Sequence, residues 1–209
     1  MELRDARGLT ESEFLAPYKR KDYPRPSFTV DMAVFSKDEE GRLQMLMVRR
    51  GGHPFLGCWA LPGGFVNQDE DADTAAMREL SEETGISGLK AEQLGVYSAP
   101  GRDPRGWTIS AAYVSNVGER MAATAGDDAT EAVWCRLETR AREDGAYEMK
   151  VHAGDDALRS TFEVSEARFM PPRARVLDSY GFAFDHAQIA ADAWLALSQS
   201  ACGDGILSA

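Results

Sequence analysis

The chain has 209 residues, of which 44% are hydrophobic and 27% are charged, so it can bury a full core as one domain with an added elaboration. A second large domain would not fit in this length. The formal net charge of −11 disfavours nonspecific binding to nucleic acid phosphates, and the same acidity means that an anionic substrate would need metal ions to hold it.

The first 26 residues are polar and mixed, and they predict an N-terminal arm or a short helix before the domain. Strands are predicted at 28–35 and 43–48, where β-branched and apolar residues are frequent. The acidic turn at 38–41 lies between these strands and predicts that they form a hairpin.

Two arginines, Arg49 and Arg50, end the second predicted strand and lead toward a glycine-rich loop at 61–65. A guanidinium group can clamp a phosphate with paired hydrogen bonds, so at least one of them is a candidate substrate contact. The alternative interpretation is a surface charge at a strand end. Glycines in the loop would let the backbone approach a metal ion or a phosphate closely.

A helix is predicted to follow the loop, from an N-cap at Asp73 to a stop at Gly85. Glu79, Glu82 and Glu83 share one face of it, because residues three and four apart are neighbours on a helix. Like charges at this spacing repel each other, so a cation is expected among them. Ligand sets made only of oxygen atoms suit hard divalent ions such as Mg²⁺ or Mn²⁺.

The loop and helix resemble the Nudix box of the Nudix hydrolases, a pattern of nine positions with fixed gaps. The matching positions are Gly64, Glu70, Arg78, Glu79, Leu80, Glu82, Glu83, Gly85 and Ile86. The alternative interpretation is a solvated acidic helix, but such a pattern rarely arises from composition alone.

The resemblance implies a role for each carboxylate on the shared face. Glu79, Glu82 and Glu83 are the implied metal ligands and catalytic residues, and the Gly63 carbonyl is a further implied ligand. The metal would be Mg²⁺, with Mn²⁺ as the alternative. Family members hydrolyse a nucleoside diphosphate linked to another group, with water attacking one phosphorus atom of the pyrophosphate.

Four other positions of the motif have implied structural roles. Glu70 and Arg78 would form an internal ion pair that braces the loop against the helix. Gly64 and Gly85 would shape the two ends of the motif.

The general base is left open by the resemblance, because family members use either a glutamate of the box or a carboxylate from a distant loop. Asp127 and Asp128 precede a strand predicted at 132–137, and Asp128 is the candidate catalytic residue. The alternative is that both are turn residues that cap the strand.

Further strands are predicted at 92–98 and 107–114, so strands lie on both sides of one long helix and indicate a mixed α/β domain. The resemblance implies the Nudix fold, a mixed β-sheet in an α/β/α sandwich. Residues 138–172 are an insertion in which alternating runs at 147–152 and 158–164 predict an added β-hairpin. It could shape the substrate pocket or a dimer interface.

The last predicted helix covers 185–198 and has an apolar stripe that would pack on the sheet. His186, near its start, is interpreted as a core or capping histidine. The Nudix domain is expected to span 27–199, and residues 200–209 are expected to form a flexible tail.

The loop at 97–107 is rigid, basic and aromatic, and Arg102, Arg105 and Trp107 are its candidate substrate contacts. It resembles the equivalent stretch of bacterial ADP-ribose pyrophosphatases of the Nudix family. That resemblance implies hydrolysis of ADP-ribose to AMP and ribose 5-phosphate by a homodimer. Two alternatives remain: a Nudix hydrolase of another nucleotide, such as a nucleotide sugar or a dinucleoside polyphosphate, and a non-catalytic ADP-ribose sensor.

Three widely separated cysteines, Cys58, Cys135 and Cys202, lack metal-ligand spacing and predict free thiols in a reducing cytosol. The N-terminus has no apolar core, so no signal peptide is expected. No apolar run is long enough to span a membrane. These features predict a cytoplasmic protein.

Overall fold

The computed structural model describes residues 2–19, 22–118, 120–126, 129–165 and 171–200. In these ranges, one mixed sheet contains ten strands and three helices accompany it. The helices are α1 (Glu11–Leu15), α2 (Ala72–Thr84) and α3 (His186–Ser200). The strands are β1 (Ser27–Lys37), β2 (Leu43–Arg50), β3 (Trp59–Ala60), β4 (Gly63–Phe65), β5 (Glu92–Tyr97), β6 (Thr108–Asn116), β7 (Ala129–Ala141), β8 (Tyr147–Ala153), β9 (Asp156–Ser165) and β10 (Arg173–Tyr180).

The sheet has the strand order β10-β9-β8-β7-β2-β1-β6-β5, with β3 paired to β2 and β4 paired to β1. The predicted hairpin between β1 and β2 is present, and Phe35 lies opposite Met45 in it. The β1–β6 pair is parallel and runs from Ser27 opposite Thr108 onward, which makes the sheet mixed. Because β4 pairs with β1, the glycine loop is held against the centre of the sheet.

Both faces of β1 are buried, which places the sheet between two helices. Val30, Met32 and Val34 pack with α2 in one cluster, whereas Ala33 and Phe35 pack with α3 in another. Successive side chains of a strand point to opposite faces, so this alternation separates the two clusters. Each large apolar side chain buried in this way stabilises the fold by about 1.5–3 kcal/mol. The expected α/β/α sandwich is confirmed.

Helix α2 begins two residues earlier than the sequence predicted. Asp71 is the N-cap, since its side chain accepts a hydrogen bond from the Thr74 N–H at 2.8 Å. The prediction of Asp73 as N-cap is wrong: that carboxylate lies in the first turn and accepts a hydrogen bond from the Tyr113 hydroxyl at 2.5 Å. Gly85 ends the helix with φ of 72°, a left-handed conformation that glycine adopts without steric cost.

The predicted added hairpin is present as β8 and β9, which pair in antiparallel fashion around a tight turn between Ala153 and Asp156. The structure adds a third strand, β10, that pairs with β9. The sequence did not predict β10 because it lies at the sheet edge, is mostly exposed and contains a bulge between Val176 and Asp178. Its burial therefore lacks the regular alternation that marks a half-buried strand.

Helix α3 packs partly on this added hairpin. Trp194 lies against Tyr147 and Phe162, with ring centroids 5.6 and 6.0 Å apart respectively. The insertion is thus part of the main core, because Phe162 is fully buried there. Cys58 and Cys135 are free thiols, while Cys202 lies outside the described residues. Among the described helices, none is long and apolar enough to cross a membrane.

Candidate active site

A cleft of about 630 Å³ lies between the end of β2, the glycine loop, the exposed face of α2 and the segment that leads into α3. It brings together most of the residues that the sequence analysis selected. The lining includes Arg49, Arg50, Gly63, Gly64, Glu79, Glu83, Arg102 and Arg105. The cleft therefore places carboxylate and guanidinium groups around one space.

Two glycines let the loop fit between β1 and α2. A Cβ atom on Gly63 would lie 2.1 Å from the Val30 carbonyl oxygen, and one on Gly64 would lie 2.5 Å from the Glu79 carboxyl carbon. Neither position tolerates a side chain without movement of the backbone or of Glu79. The glycines thus bring a backbone turn into contact with the acidic face of the helix.

Glu83 connects the helix to this turn, because its Oε2 atom accepts a hydrogen bond from the Gly63 N–H at 3.0 Å. Glu79 lies directly against Gly64 and also lines the cleft. Glu82 is on the same helix, but about half of its side chain is exposed and it does not line the cleft. Two of the three predicted metal-binding carboxylates therefore converge on the glycine turn.

Arg78 binds three carboxylates at once. Its Nη1 atom lies 2.8 Å from Glu79 Oε1 and 2.9 Å from Glu82 Oε2, and its Nη2 atom lies 2.6 Å from Glu70 Oε1. It also donates to the Phe65 carbonyl at 3.0 Å, which ties α2 to the loop. Hydrogen bonds from Arg78, and next from the Asn67 N–H, lower the pKa of Glu70 to about 2. The bonds to Glu70, and next to Glu79 and Glu82, raise the pKa of Arg78 above its ordinary value.

The donor set suits a hard divalent cation, since the acidic residues around the turn offer only oxygen atoms. Across the described ranges, however, no three His, Cys, Asp or Glu side chains are gathered closely enough to form a metal site. Glu79 and Glu82 are instead both paired with the guanidinium group of Arg78. Glu79, Glu83 and the adjacent Gly63 are the members of the predicted ligand set that line the cleft.

The two arginines at the end of β2 both reach the cleft, but each is also held by the protein. Arg49 forms an ion pair with Glu131 at 2.9 Å, lies 3.6 Å from Asp156 and lies over the Trp59 ring. Arg50 donates from Nε to the Pro54 carbonyl at 2.8 Å. These contacts fix where the two guanidinium groups stand at the cleft wall.

Arg102 is deeply buried, with only 5% of its side chain exposed. It donates two hydrogen bonds to Asp185, at 2.8 and 2.6 Å, and lies 3.4 Å from Asp31. Burial alone would lower the pKa of Arg102, but the bonds to Asp185 and the charge of Asp31 outweigh it and raise the pKa. Arg102 therefore lies in a buried ion-pair network on the cleft floor.

Asp31 and His186 complete this network, although neither was predicted to be a site residue. His186 is buried and lines the cleft; its Nδ1 atom accepts a hydrogen bond from the Leu61 N–H, and its Nε2 atom lies 3.3 Å from Asp31 Oδ1. Burial would raise the pKa of Asp31, but His186, Ser110 and Arg102 together keep it below the ordinary value. The sequence did contain one signal for Asp31, because an acidic residue within the apolar run of β1 is unusual and indicates a functional or paired carboxylate.

Arg105 and Trp107, from the same loop, are placed differently. Arg105 lines the cleft and pairs with the buried Asp103 at 2.8 Å. Trp107 is 56% exposed and does not line the cleft. The structure thus brings Arg102 and Arg105 to the cleft but leaves Trp107 outside it.

Asp127 and Asp128 lie outside the described residues, so the candidate base from this loop has no described position. The residues on either side of them are described and lie close to the cleft. Gly126 donates a hydrogen bond to the Glu83 carbonyl at 3.0 Å, and Ala129 and Thr130 line the cleft.

Comparison with known proteins finds similar sequences and structures, among them these three. An ADPR responsive transcriptional repressor NtrR of Acinetobacter baylyi is 38% identical over 66% of this chain and 56% of its own length. An ADP-ribose pyrophosphatase of Methanocaldococcus jannaschii is 44% identical over 54% of this chain and 64% of its own length. The crystal structure of a MutT/nudix family protein from Enterococcus faecalis, 35% identical, covers 92% of this chain and 71% of that chain with a TM-score of 0.76.

The chain spans 56% and 64% of the length of these two curated relatives. The NUDIX domain family pattern matches residues 27–151, which is more than half of the chain and includes the glycine turn and α2. On this match, the protein belongs to the NUDIX domain family.

Proposed function

We propose that this protein is a divalent-metal-dependent pyrophosphohydrolase that cleaves ADP-ribose into AMP and ribose 5-phosphate. The observation that carries the proposal is the cleft, in which Glu79 and Glu83 face the same space as four arginines. Carboxylates suit a metal ion and guanidinium groups suit phosphate oxygens, so such a cleft fits a pyrophosphate. The similarity to an ADP-ribose pyrophosphatase supports ADP-ribose as the substrate.

Glu79 and Glu83, with Glu82 beside them, would hold the cation, for which Mg²⁺ is proposed and Mn²⁺ is the alternative. When bound, a divalent cation neutralises charge on phosphate oxygens and lowers the pKa of the attacking water. Arg49 and Arg50 stand at the cleft wall and would bind and orient the phosphate groups. Glu83 and Asp128 are the proposed alternatives for taking the proton from water.

The test is hydrolysis of ADP-ribose with Mg²⁺, beside a panel of nucleotide sugars, dinucleoside polyphosphates, NADH and nucleoside triphosphates, with products identified by mass. We expect AMP and ribose 5-phosphate from ADP-ribose far faster than products from the others. We expect EDTA to abolish the reaction and added Mg²⁺ or Mn²⁺ to restore it. Faster cleavage of another compound would contradict the proposed substrate, and full activity in EDTA would contradict metal dependence.

A second candidate function, an ADP-ribose-responsive regulator, is favoured by the 38% identity to a transcriptional repressor. The complete set of nine box positions in this chain favours catalysis instead. Binding of ADP-ribose without cleavage of any panel member would support the regulator.

The family resemblance also implies a homodimer. Size-exclusion chromatography with light scattering measures the molar mass of the protein in solution and so tests this expectation.

A further inference from the structure

Phe184 holds a backbone conformation that a bulky residue rarely adopts, with φ of 50°. A conformation of this kind costs about 1–3 kcal/mol and persists only where the surrounding structure fixes it. Here the chain is fixed on both sides: the Ala183 N–H donates to the Trp59 carbonyl at 2.8 Å, and the His186 ring accepts from the Leu61 N–H. The strained residue therefore presents its ring to the cleft, which it lines.

Planar groups surround this ring. The Arg105 guanidinium lies 5.5 Å from the Phe184 ring centroid and 5.1 Å from the centroid of Phe65, a second aromatic ring of the cleft lining. One flat cation thus contacts two rings of the same cleft. On the Phe184 ring, the Arg50 guanidinium also lies 4.9 Å from the centroid. An aromatic ring whose face packs against one flat group can pack against another flat group of similar shape.

A nucleobase is such a group, because every base has a π-face that stacks on an aromatic side chain. Arg105 can leave its position over the two rings, since 44% of its side chain is exposed and its flexible stem extends from a loop. Phe65 is 48% exposed and is likewise accessible. The two rings stand in the cleft that also holds Glu79 and Glu83, so a base on them and a phosphate near the carboxylates could belong to one nucleotide.

We propose that the base of the nucleotide substrate stacks on Phe184, with Phe65 beside it, in the position that the Arg105 guanidinium occupies in this structure. The proposal rests on the proposed function for the identity of the ligand. It assigns base recognition to Phe184 instead of Trp107, which lies outside the cleft.

The test compares two ligands, AMP and ribose 5-phosphate, by isothermal titration calorimetry with the full chain and Mg²⁺. In Phe184→Leu, we expect AMP to bind about 5- to 50-fold more weakly, because aromatic stacking of a base is lost. We expect the affinity for ribose 5-phosphate, which has no base, to stay unchanged. Leucine is strained at this φ just as phenylalanine is, so the substitution leaves the backbone cost in place.

Phe28→Leu is the matched control, since Phe28 is a partly exposed phenylalanine of β1 that does not line the cleft. It should bind both ligands as the wild type does. Phe65→Leu is a second variant in which folding is not at stake, because that ring is half-exposed; it should weaken AMP selectively as well. Unchanged AMP affinity in both cleft variants would overturn the inference, and so would an equal loss for both ligands.

The outcome is separable from that of the proposed function. Selective loss of AMP binding in Phe184→Leu, together with a wild type that cleaves no ADP-ribose, would support the stacking site and refute the enzyme. Cleavage of ADP-ribose by the wild type, with AMP binding intact in both cleft variants, would support the enzyme and refute the stacking site. A wild type that does not bind AMP would overturn the stacking site outright.

Discussion

His186 Nδ1 accepts a hydrogen bond from the Leu61 N–H at 2.8 Å, which ties the start of α3 to the strand residues before the glycine turn. The bond is buried, and the other ring nitrogen faces Asp31 at 3.3 Å. A histidine interpreted from sequence as a core or capping residue thus supports the geometry of the cleft. Its replacement tests how much the turn depends on α3.

In His186→Ala, the Leu61 N–H loses its acceptor inside the protein and Asp31 loses one of its partners. An unsatisfied buried donor costs about 1–3 kcal/mol, so we expect a loss of that size in the free energy of unfolding measured with urea. We also expect kcat for ADP-ribose to fall, because the turn that holds Glu83 would shift. Gln199→Ala, an exposed change at the other end of α3, is the control. Wild-type stability in His186→Ala would refute this role.

Glu83→Gln keeps the size of the side chain and removes one charge from the acidic face. We expect kcat/KM for ADP-ribose to fall roughly 100-fold, the order of loss found when one electrostatic contribution to a transition state is removed. The thermal midpoint should stay near that of the wild type, because glutamine can still accept the Gly63 hydrogen bond. Glu92→Gln on β5 is the matched control. If Glu83→Gln unfolds instead, the role of Glu83 is structural.

Glu70 makes a pH-dependent contribution to stability through Arg78. Its pKa in the folded protein is about 2, below the ordinary value of 4.5. A lowered pKa means that the folded state binds the proton less well than the unfolded state. The contribution is therefore complete above pH 4.5 and is lost as the pH falls from 4.5 toward 2. Thermal midpoints of wild type and Glu70→Gln should differ at pH 6 and converge toward pH 2; a constant difference would contradict this linkage.

Phe162→Ala tests whether the added hairpin belongs to the main core. The ring is fully buried and stacks on Tyr147 with centroids 5.6 Å apart. Truncating such a ring costs about 3–5 kcal/mol, and we expect that loss in one cooperative urea transition. Arg159→Ala, an exposed change on the same strand, should have little effect. A separate early transition in Phe162→Ala would instead show that the hairpin unfolds independently.

Local patterns in the sequence predicted much of the fold. The glycine loop, the long acidic helix, the β1–β2 hairpin and the added β8–β9 hairpin all follow from residue spacing over short distances. The N-cap of α2 was misplaced by two residues because Asp71 and Asp73 both suit that position in isolation. In the fold, Asp71 accepts the capping hydrogen bond from the Thr74 N–H, whereas Asp73 accepts one from the Tyr113 hydroxyl, which β6 brings to the helix.

The sequence by itself determined that Glu79, Glu82 and Glu83 share a helix face behind a glycine turn, because helix periodicity and glycine flexibility act within one stretch of chain. The tertiary structure decided which distant side chains meet that face. Arg102 and Asp185 are 83 positions apart, and Leu61 and His186 are 125 apart. The order of strands in the sheet brings them together. The hydrogen bonds made by Ala183 and His186 hold Phe184 at the cleft, whereas Trp107 lies at the surface.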